Sequence, residues 1–169
     1  MSLIGSLAAK IAARFDDRTP VYYAADVVLF TRSENLSYVL LIERAWNPHK
    51  GKLALPGGHV DPDETSHEAA RREGTEETGV DLAGVDLSLV GIYDQPDRDA
   101  RGRYVTVAYT AFLPGMPTAT AGDDAAAAAW VPLRAAYGQA MRARMAFDHE
   151  RILFDAARMH PELSHWPHT

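Results

Sequence analysis

Gly58-His59-Val60-Asp61-Pro62-Asp63-Glu64, continued by Arg72-Glu73-Gly74-Thr75-Glu76-Glu77-Thr78-Gly79-Val80, is the stretch on which the fold of this chain turns. Between its glycines it sets Glu64, Arg72, Glu73, Glu76 and Glu77 at fixed intervals. Its local chemistry predicts a helix. Thr65 is an N-cap residue, and Glu68 three positions on closes a capping box. The helix runs to about Glu77, and Gly79 ends it as the residue after the C-cap. Glu73, Glu76 and Glu77 then stand at i, i+3 and i+4 and share one face. Carboxylates so close repel one another at neutral pH, and a cation among them relieves the repulsion. Their oxygens are hard ligands, suited to Mg²⁺ or Mn²⁺ rather than zinc.

Leu53-Ala54-Leu55-Pro56-Gly57-Gly58 runs into this helix as a short apolar strand and a glycine turn. Glycine there lets backbone groups approach a ligand or metal closely. Strand, glycine loop and acidic helix form one unit able to bind a divalent metal that clamps a diphosphate. A plainer account makes Glu68, Arg72 and Glu76 an ion-pair ladder on a solvated face. It suits Glu68 and part of Arg72 better than it suits Glu73 and Glu77 with the glycine loop attached.

As a template the stretch is G-x5-E-x7-R-E-U-x-E-E-x-G-U, with U apolar. At background frequencies of about 7% or less per residue, chance produces it on the order of 10⁻⁸ times per starting position. It resembles the Nudix box, the signature of hydrolases that cleave a nucleoside diphosphate linked to another moiety X. The resemblance covers about Tyr22 to Met159. It implies the Nudix fold, an α/β class with a mixed sheet in an α/β/α sandwich. It also implies dependence on Mg²⁺, with Mn²⁺ able to substitute. Glu73 and Glu77 match the main metal ligands. Glu76 matches a ligand of a second metal or a member of the catalytic cluster, and the Gly57 carbonyl a further ligand. Glu64 orients helix or ligands through Arg72. One departure is Gly74, where the family carries a bulky aliphatic residue. With Ala70 one turn earlier, it predicts close approach of helix to sheet, at a helix-propensity cost of about 1 kcal/mol.

The chain has 169 residues and 47% apolar content, which predicts a single domain with a real core. A net charge of −6 argues against a nucleic-acid-binding surface. The absence of cysteine excludes disulfides and thiolate chemistry. No apolar run reaches membrane-spanning length, and no signal-peptide pattern opens the chain. The expectation is a cytoplasmic protein without a membrane partner.

Around the acidic helix the pattern alternates. Leu3 to Phe15 repeat at helical spacing, for a helix that packs on the domain or builds a homodimer interface. Ala24 to Thr31 and Leu36 to Arg44 read as a hairpin turning at residues 32–35. Further strands are predicted at Gly51 to Leu55, Leu87 to Tyr93 and Tyr104 to Leu113. Thr118 to Ala129 reads as a loop that enters a strand at Ala128, Trp130 and Val131. Phe147 to Met159 reads as a closing helix.

The substrate side is sought in two loops. Residues 91–103 carry Arg98, Arg101 and Arg103 beside Asp94, Asp97 and Asp99. This resembles a loop of the ADP-ribose pyrophosphatase branch, and guanidinium forks suit phosphate. Residues 44–52 offer Arg44 and Lys52 to phosphates, and Trp46 either to the core or to a base. Relatives often carry a glutamate before Trp130, where this chain has alanine from 125 to 129. The general base is therefore open among Asp123, Asp124 and the loop from Asp94 to Asp99. Asp148 reads as a helix cap in preference to a catalytic role for His149, and His59 and His67 fall at non-ligand positions.

The reading is Mg²⁺-dependent hydrolysis of a small-molecule nucleotide, with ADP-ribose giving AMP and ribose 5-phosphate. The alternatives are a house-cleaning hydrolase of oxidised nucleoside triphosphates and an ADP-ribose-sensing domain. Sensors of that kind carry a winged-helix domain after the Nudix domain, and only ten residues follow Met159.

Overall fold

The computed structural model describes residues 19–163; the helix predicted at 3–15 lies outside them. The hairpin forms as β1 (Val21–Ser33) and β2 (Leu36–Arg44). Glu34 and Asn35 both take positive φ, 49° and 64°. That is the two-residue turn whose twist matches paired strands. β3 (Leu53–Ala54) and β4 (Gly57–His59) follow, then α1 (Ser66–Thr78), β5 (Ser88–Tyr93), β6 (Arg103–Phe112) and β7 (Ala125–Pro132). Two short helices, α2 (Leu133–Ala136) and α3 (Gln139–Arg142), precede α4 (His149–Ala157), and a 3₁₀ turn spans Pro161–Leu163.

The sheet runs β3-β2-β1-β6-β5, with β4 added to β1 and β7 to β2. β1 and β6 are parallel from Val21↔Arg103 to Phe30↔Phe112, while the other pairings are antiparallel. The sheet is thus mixed. Along its other edge β1 changes partner: Ala24 to Asp26 pair with β4, and Phe30 to Ser33 pair with β2. The divergence of β4 from β2 opens a cleft at the level of Asp26.

Period-2 alternation splits β1 between two cores. Val28 and Phe30 pack with Ile152, Leu153 and Ala156 of α4 and with Leu133 of α2. Ala25, Val27 and Leu29 pack with Ala69 and Ala70 of α1 and with Val80 and Leu82 beyond it. One helical layer lies on each face, which is the expected sandwich.

α1 forms for the predicted reasons. The Thr65 amide donates to Glu68 Oε2 at 2.8 Å, and the Glu68 amide donates back to Thr65 Oγ1 at 3.3 Å. Gly79 closes the helix at φ 66°. Gly74 is buried, and a Cβ there would stand 2.7 Å from Leu82 Cδ1 and 2.8 Å from Val27 Cγ1. The departure from a bulky residue is therefore what lets this helix lie close on β1.

Boundaries differ from the sequence expectation: β1 is longer, Val21–Ser33 against Ala24 to Thr31, and β3 shorter, Leu53–Ala54 against Gly51 to Leu55. β7 begins at Ala125 and takes in the alanine run, because backbone pairing to β2 (Glu43↔Ala127) needs no large side chain. The glycine turn is itself a strand, β4, held by β1. The closing helix is shorter, His149–Ala157, and the two short helices before it carried no strong periodicity. Among the described residues no helix is long and apolar enough to cross a membrane.

Candidate active site

A cavity of about 460 Å³ opens at the divergence of β2 and β4. Glu73 and Glu77 of α1, Gly57 and Gly58 of β4, and Asp26 of β1 line it. So do Asp124, Arg44, Arg98, Asp99, Arg101, Tyr104, Phe147 and His149.

One wall is acidic. The glycines are there because nothing larger fits: a Cβ on Gly58 would land on the Glu73 carboxylate, and one on Gly57 on the Ala25 carbonyl and Asp26. The Gly57 amide donates to Glu77 Oε2 at 2.9 Å. Arg72 is the hub behind this wall. Its guanidinium donates to both Glu64 oxygens, at 2.5 and 3.1 Å, to Glu73 Oε1 at 2.8 Å, to Glu76 Oε2 at 3.2 Å and to the His59 carbonyl at 3.0 Å. Its pKa is raised, chiefly by the Glu64 hydrogen bonds. Glu64 in turn titrates below the usual carboxylate range because Arg72 and the Asp61 amide donate to it.

Glu77 is 8% exposed. Burial pushes its pKa up to about 8 against the Gly57 hydrogen bond, helped by the charges of Glu73, Asp26 and Asp124. Glu73 is shifted upward too, by burial opposed by Arg72. Among the described residues no three His, Asp or Glu side chains are preassembled around a metal position. Glu73 leans to Arg72, and like charges spread the rest. The donor set nevertheless fits a hard divalent cation: two helix carboxylates on a glycine backbone, and an ionisation that burial disfavours until a cation arrives.

Glu76 stands apart from this pair. It is 61% exposed, bonded to Arg72 and outside the cavity lining. Asp124 is brought in by residues 120–122, which lie across the end of α1 through Thr120 N–H to the Thr78 carbonyl (2.7 Å) and Gly122 N–H to the Glu77 carbonyl (3.2 Å). Asp123 is not among the lining residues.

The opposite wall is basic and aromatic. Arg101 is bound to Asp99 through Nε and NH2, the shortest contact being 2.6 Å, and its guanidinium lies 4.6 Å from the Tyr104 ring centre. Burial raises the Asp99 pKa, but Arg101's hydrogen bonds and charge outweigh it and the net shift is downward. Arg98 is 4% exposed and grips Asp148 at 2.6 and 3.1 Å, tying residues 94–102 to the start of α4. Asp148 stands at the N-cap position but makes no cap hydrogen bond, its carboxylate being taken by Arg98. Arg44 donates Nε to the Pro48 carbonyl at 2.8 Å and lies over Phe147 at 5.0 Å. Its pKa is lowered, first by burial and then by Arg101. Lys52 does not reach the cavity lining, whereas Trp46 does, 62% exposed rather than packed in the core.

Sequence reasoning missed Asp26, placed no lining role on Tyr104 or Phe147, and set His149 aside. Asp26 had a readable signal. It is a lone carboxylate inside the apolar run Ala24 to Phe30, on the alternation that carries Val28 and Phe30 toward α4.

Comparisons with known proteins add to this geometry. A family model described as NUDIX domain matches residues 22–156. An ADP-ribose pyrophosphatase of Methanocaldococcus jannaschii is 42% identical over 120 residues, covering 71% of this chain and 66% of that protein. The ADPR responsive transcriptional repressor NtrR of Acinetobacter baylyi is 33% identical over 133 residues, covering 78% of this chain and 51% of the repressor. The chain thus spans roughly half to two thirds of these relatives. Among solved structures, the NUDIX domain of Shewanella oneidensis NrtR complexed with ADP ribose superposes with a TM-score of 0.75 at 27% identity, covering 94% of this chain and 99% of that domain.

Proposed function

The chain belongs to the NUDIX domain family, and on that premise we propose that it is a divalent-metal-dependent pyrophosphohydrolase whose substrate is ADP-ribose. Water attacks one phosphorus of the diphosphate, the bridging P–O bond breaks, and AMP and ribose 5-phosphate leave. The observation that carries this reading is the two-sided cavity. Paired carboxylates on a glycine backbone face Arg44 and Arg101 across a space of about 460 Å³. A diphosphate needs cations on both sides, and one wall has them while the other is built to receive one. The relatives that act on or bind ADP-ribose support the choice of substrate.

Glu73, Glu77 and the Gly57 carbonyl would hold the metal, for which we propose Mg²⁺ with Mn²⁺ as a substitute. When bound it neutralises the diphosphate and activates water. Arg72 holds Glu73 in place and is itself held by Glu64, so the pair positions the acidic wall. Arg44, without a carboxylate partner among the described residues, is the side chain freest to meet a phosphate. Arg101 offers its remaining N–H groups beside Tyr104. We assign the proton of the attacking water to Asp124, the member of the Asp123–Asp124 pair that lines the cavity. We assign Glu76 to the ion-pair network of Arg72 rather than to the first ligand set.

The test is product chromatography of ADP-ribose, other nucleoside diphosphate sugars and an oxidised nucleoside triphosphate with Mg²⁺, with Mn²⁺ and with EDTA. ADP-ribose should give AMP with the highest kcat/KM, and EDTA should stop the reaction. A clear preference for the triphosphate removes the substrate assignment. A second reading, binding of ADP-ribose without cleavage, is favoured by the likeness to the repressor and its ADP-ribose complex. Tight binding with no AMP formed under either metal would select it.

A further inference from the structure

His149 and Asp26 meet on the floor of the cavity with bonding capacity that the hydrolytic reading leaves unused. Both are buried, their side chains 6% and 8% exposed. The Leu55 amide donates to His149 Nδ1 at 2.9 Å. Nδ1 is therefore the acceptor, and the neutral ring carries its proton on Nε2. That N–H has no hydrogen-bond partner among the described residues. Its nearest acceptor is Asp26 Oδ1 at 3.8 Å, outside hydrogen-bond range. Asp26 Oδ2 is occupied by the Thr106 hydroxyl at 2.7 Å, so Oδ1 faces the same gap. Buried donors in native proteins are almost always satisfied, and this one lines a cavity meant to be filled.

What fills the gap must accept from Nε2–H and donate to Oδ1. A hydroxyl does both. A phosphate oxygen only accepts and is repelled by Asp26, and an ammonium only donates. One oxygen at about 2.8 Å from each atom closes the triangle over the 3.8 Å gap. We propose that His149 Nε2–H and Asp26 Oδ1 form a seat for one sugar hydroxyl of the bound substrate, making them specificity-determining residues of the site. The seat rests on the reading of the cavity as a nucleoside diphosphate sugar pocket. It places a sugar on the floor by the start of α4 and leaves the diphosphate to the acidic helix and Arg44.

The experiment uses the whole chain with Mg²⁺ and two probes that are not cleaved. One is ADP-ribose with a methylene bridge between its phosphorus atoms. The other is methylenediphosphonate, which has the same charged bridge and no sugar. Long-range ¹⁵N–¹H spectra report the His149 ring, and calorimetry reports binding. The ring should show the Nε2–H tautomer, and the sugar-bearing probe alone should move Nε2 and slow the exchange of its proton. His149→Phe should weaken that probe by about tenfold or more, the worth of a lost hydrogen bond to a buried group. It should leave methylenediphosphonate unchanged, and His149→Gln should recover part of the loss. Thermal melts confirm that each variant folds.

Several results overturn the seat. An Nδ1–H tautomer does so directly. Equal shifts from both probes mean that the ring senses a filled pocket and not a hydroxyl. Binding of the ADP-ribose analogue with no change at His149 assigns the gap to a fixed water and leaves the hydrolase reading standing. No binding of the analogue removes the seat and the proposed substrate together.

Discussion

Of the two carboxylates facing the cavity, Glu73 has part of the Arg72 guanidinium and Glu77 has the Gly57 amide, while across from them Arg98 and Arg101 each own a carboxylate. The acidic wall is left short of cations: Glu77 is buried, flanked by Glu73, Asp26 and Asp124, and keeps its proton up to about pH 8. The basic wall is internally neutralised, and its pairs fix backbone, Asp148–Arg98 across 50 positions of sequence and Asp99–Arg101 within one turn. The contrast separates two uses of charge. Pairs that are complete hold loops in place, and charges left incomplete await something from solution. By that rule the acidic helix is the reactive half. Of the arginines lining the basic wall, Arg44 is the one with no carboxylate partner among the described residues, held by the Pro48 carbonyl and the Phe147 ring.

The largest effect that tests this contrast is on turnover. Glu77→Gln keeps volume and the Gly57 hydrogen bond but removes the charge a metal needs. Metal-based charge stabilisation is worth several kcal/mol, so kcat/KM should fall by about a hundredfold or more. Steady-state rates with Mg²⁺ decide. A variant retaining more than about a tenth of the wild-type rate would move Glu77 out of the ligand set, since tenfold is only about 1.4 kcal/mol.

Next in size is the pH dependence of the metal-free protein. The folded Glu77 binds a proton up to about 8, whereas an unfolded glutamate releases it near 4.5. Between those values the native state holds more protons than the unfolded chain, so stability falls as pH rises. Burial lowers the pKa of His149, which destabilises the fold in the opposite sense as pH drops below about 6.5. The comparison must therefore be a difference. Wild type minus Glu77→Gln, each melted in EDTA, should lose stability from pH 5 to pH 8 and then level off. Burial sets most of this shift, the Gly57 amide opposes it, and the charges of Glu73 from α1, Asp26 from β1 and Asp124 before β7 add to it. Mg²⁺ should flatten the curve and raise the wild-type melting temperature. A flat difference curve in EDTA would mean that the acidic wall is not under repulsion.

What the sequence revealed follows the range of the interactions. The capping box, the Gly79 terminus, the paired glutamates and the hairpin each act within a few residues, and all form, the turn expected over residues 32–35 tightening to Glu34–Asn35. Gly74 looked like a departure and was a packing signal, because its reason is the Leu82 and Val27 side chains above and beside it. Long-range placements left no local pattern. Arg98 reads as a phosphate ligand because guanidinium forks suit phosphate; it does line the cavity, but its side chain is 4% exposed and closes on Asp148, 50 positions away. His149 and Leu55 are 94 positions apart, and only the fold brings them together. Asp26 alone could have been found, as a charge in an otherwise apolar strand.

The basic wall predicts a smaller change that is structural and not catalytic in origin. Arg98→Ala leaves Asp148, 21% exposed, without its partner, which costs about 1 kcal/mol and loosens residues 94–102. Arg101→Ala leaves the Asp99 carboxylate, 2% exposed, with the residue 101 amide as a remaining donor, so it too should cost stability, while raising KM for ADP-ribose more directly. Chemical denaturation and KM measured side by side separate the two. If Arg98→Ala changes KM with no loss of stability, Arg98 touches substrate and the division of the wall into holding and binding arginines fails.

The smallest effect probes how firmly the acidic wall is seated. Gly74→Ala gains about 1 kcal/mol of helix propensity. Against this stands a Cβ at 2.7 Å from Leu82 Cδ1 and 2.8 Å from Val27 Cγ1, both on fully buried side chains. Leu82 has a rotatable arm that can yield, but Val27 is β-branched and sits on the strand paired on both edges, so it yields little. Overpacking of this kind costs about 1–3 kcal/mol, leaving a net destabilisation of about 1 kcal/mol. The helix should meet the clash by lifting off β1, and Glu73 and Glu77 ride on that helix while Arg98 and Arg101 do not. Affinity for Mg²⁺, read from the metal-induced rise in melting temperature, should therefore fall. Affinity for methylenediphosphonate without metal, which depends on Arg44 and Arg101, should hold. A Gly74→Ala protein more stable than wild type would show that the helix moves freely on the sheet, and that the acidic wall is held by Arg72 and the glycine backbone alone.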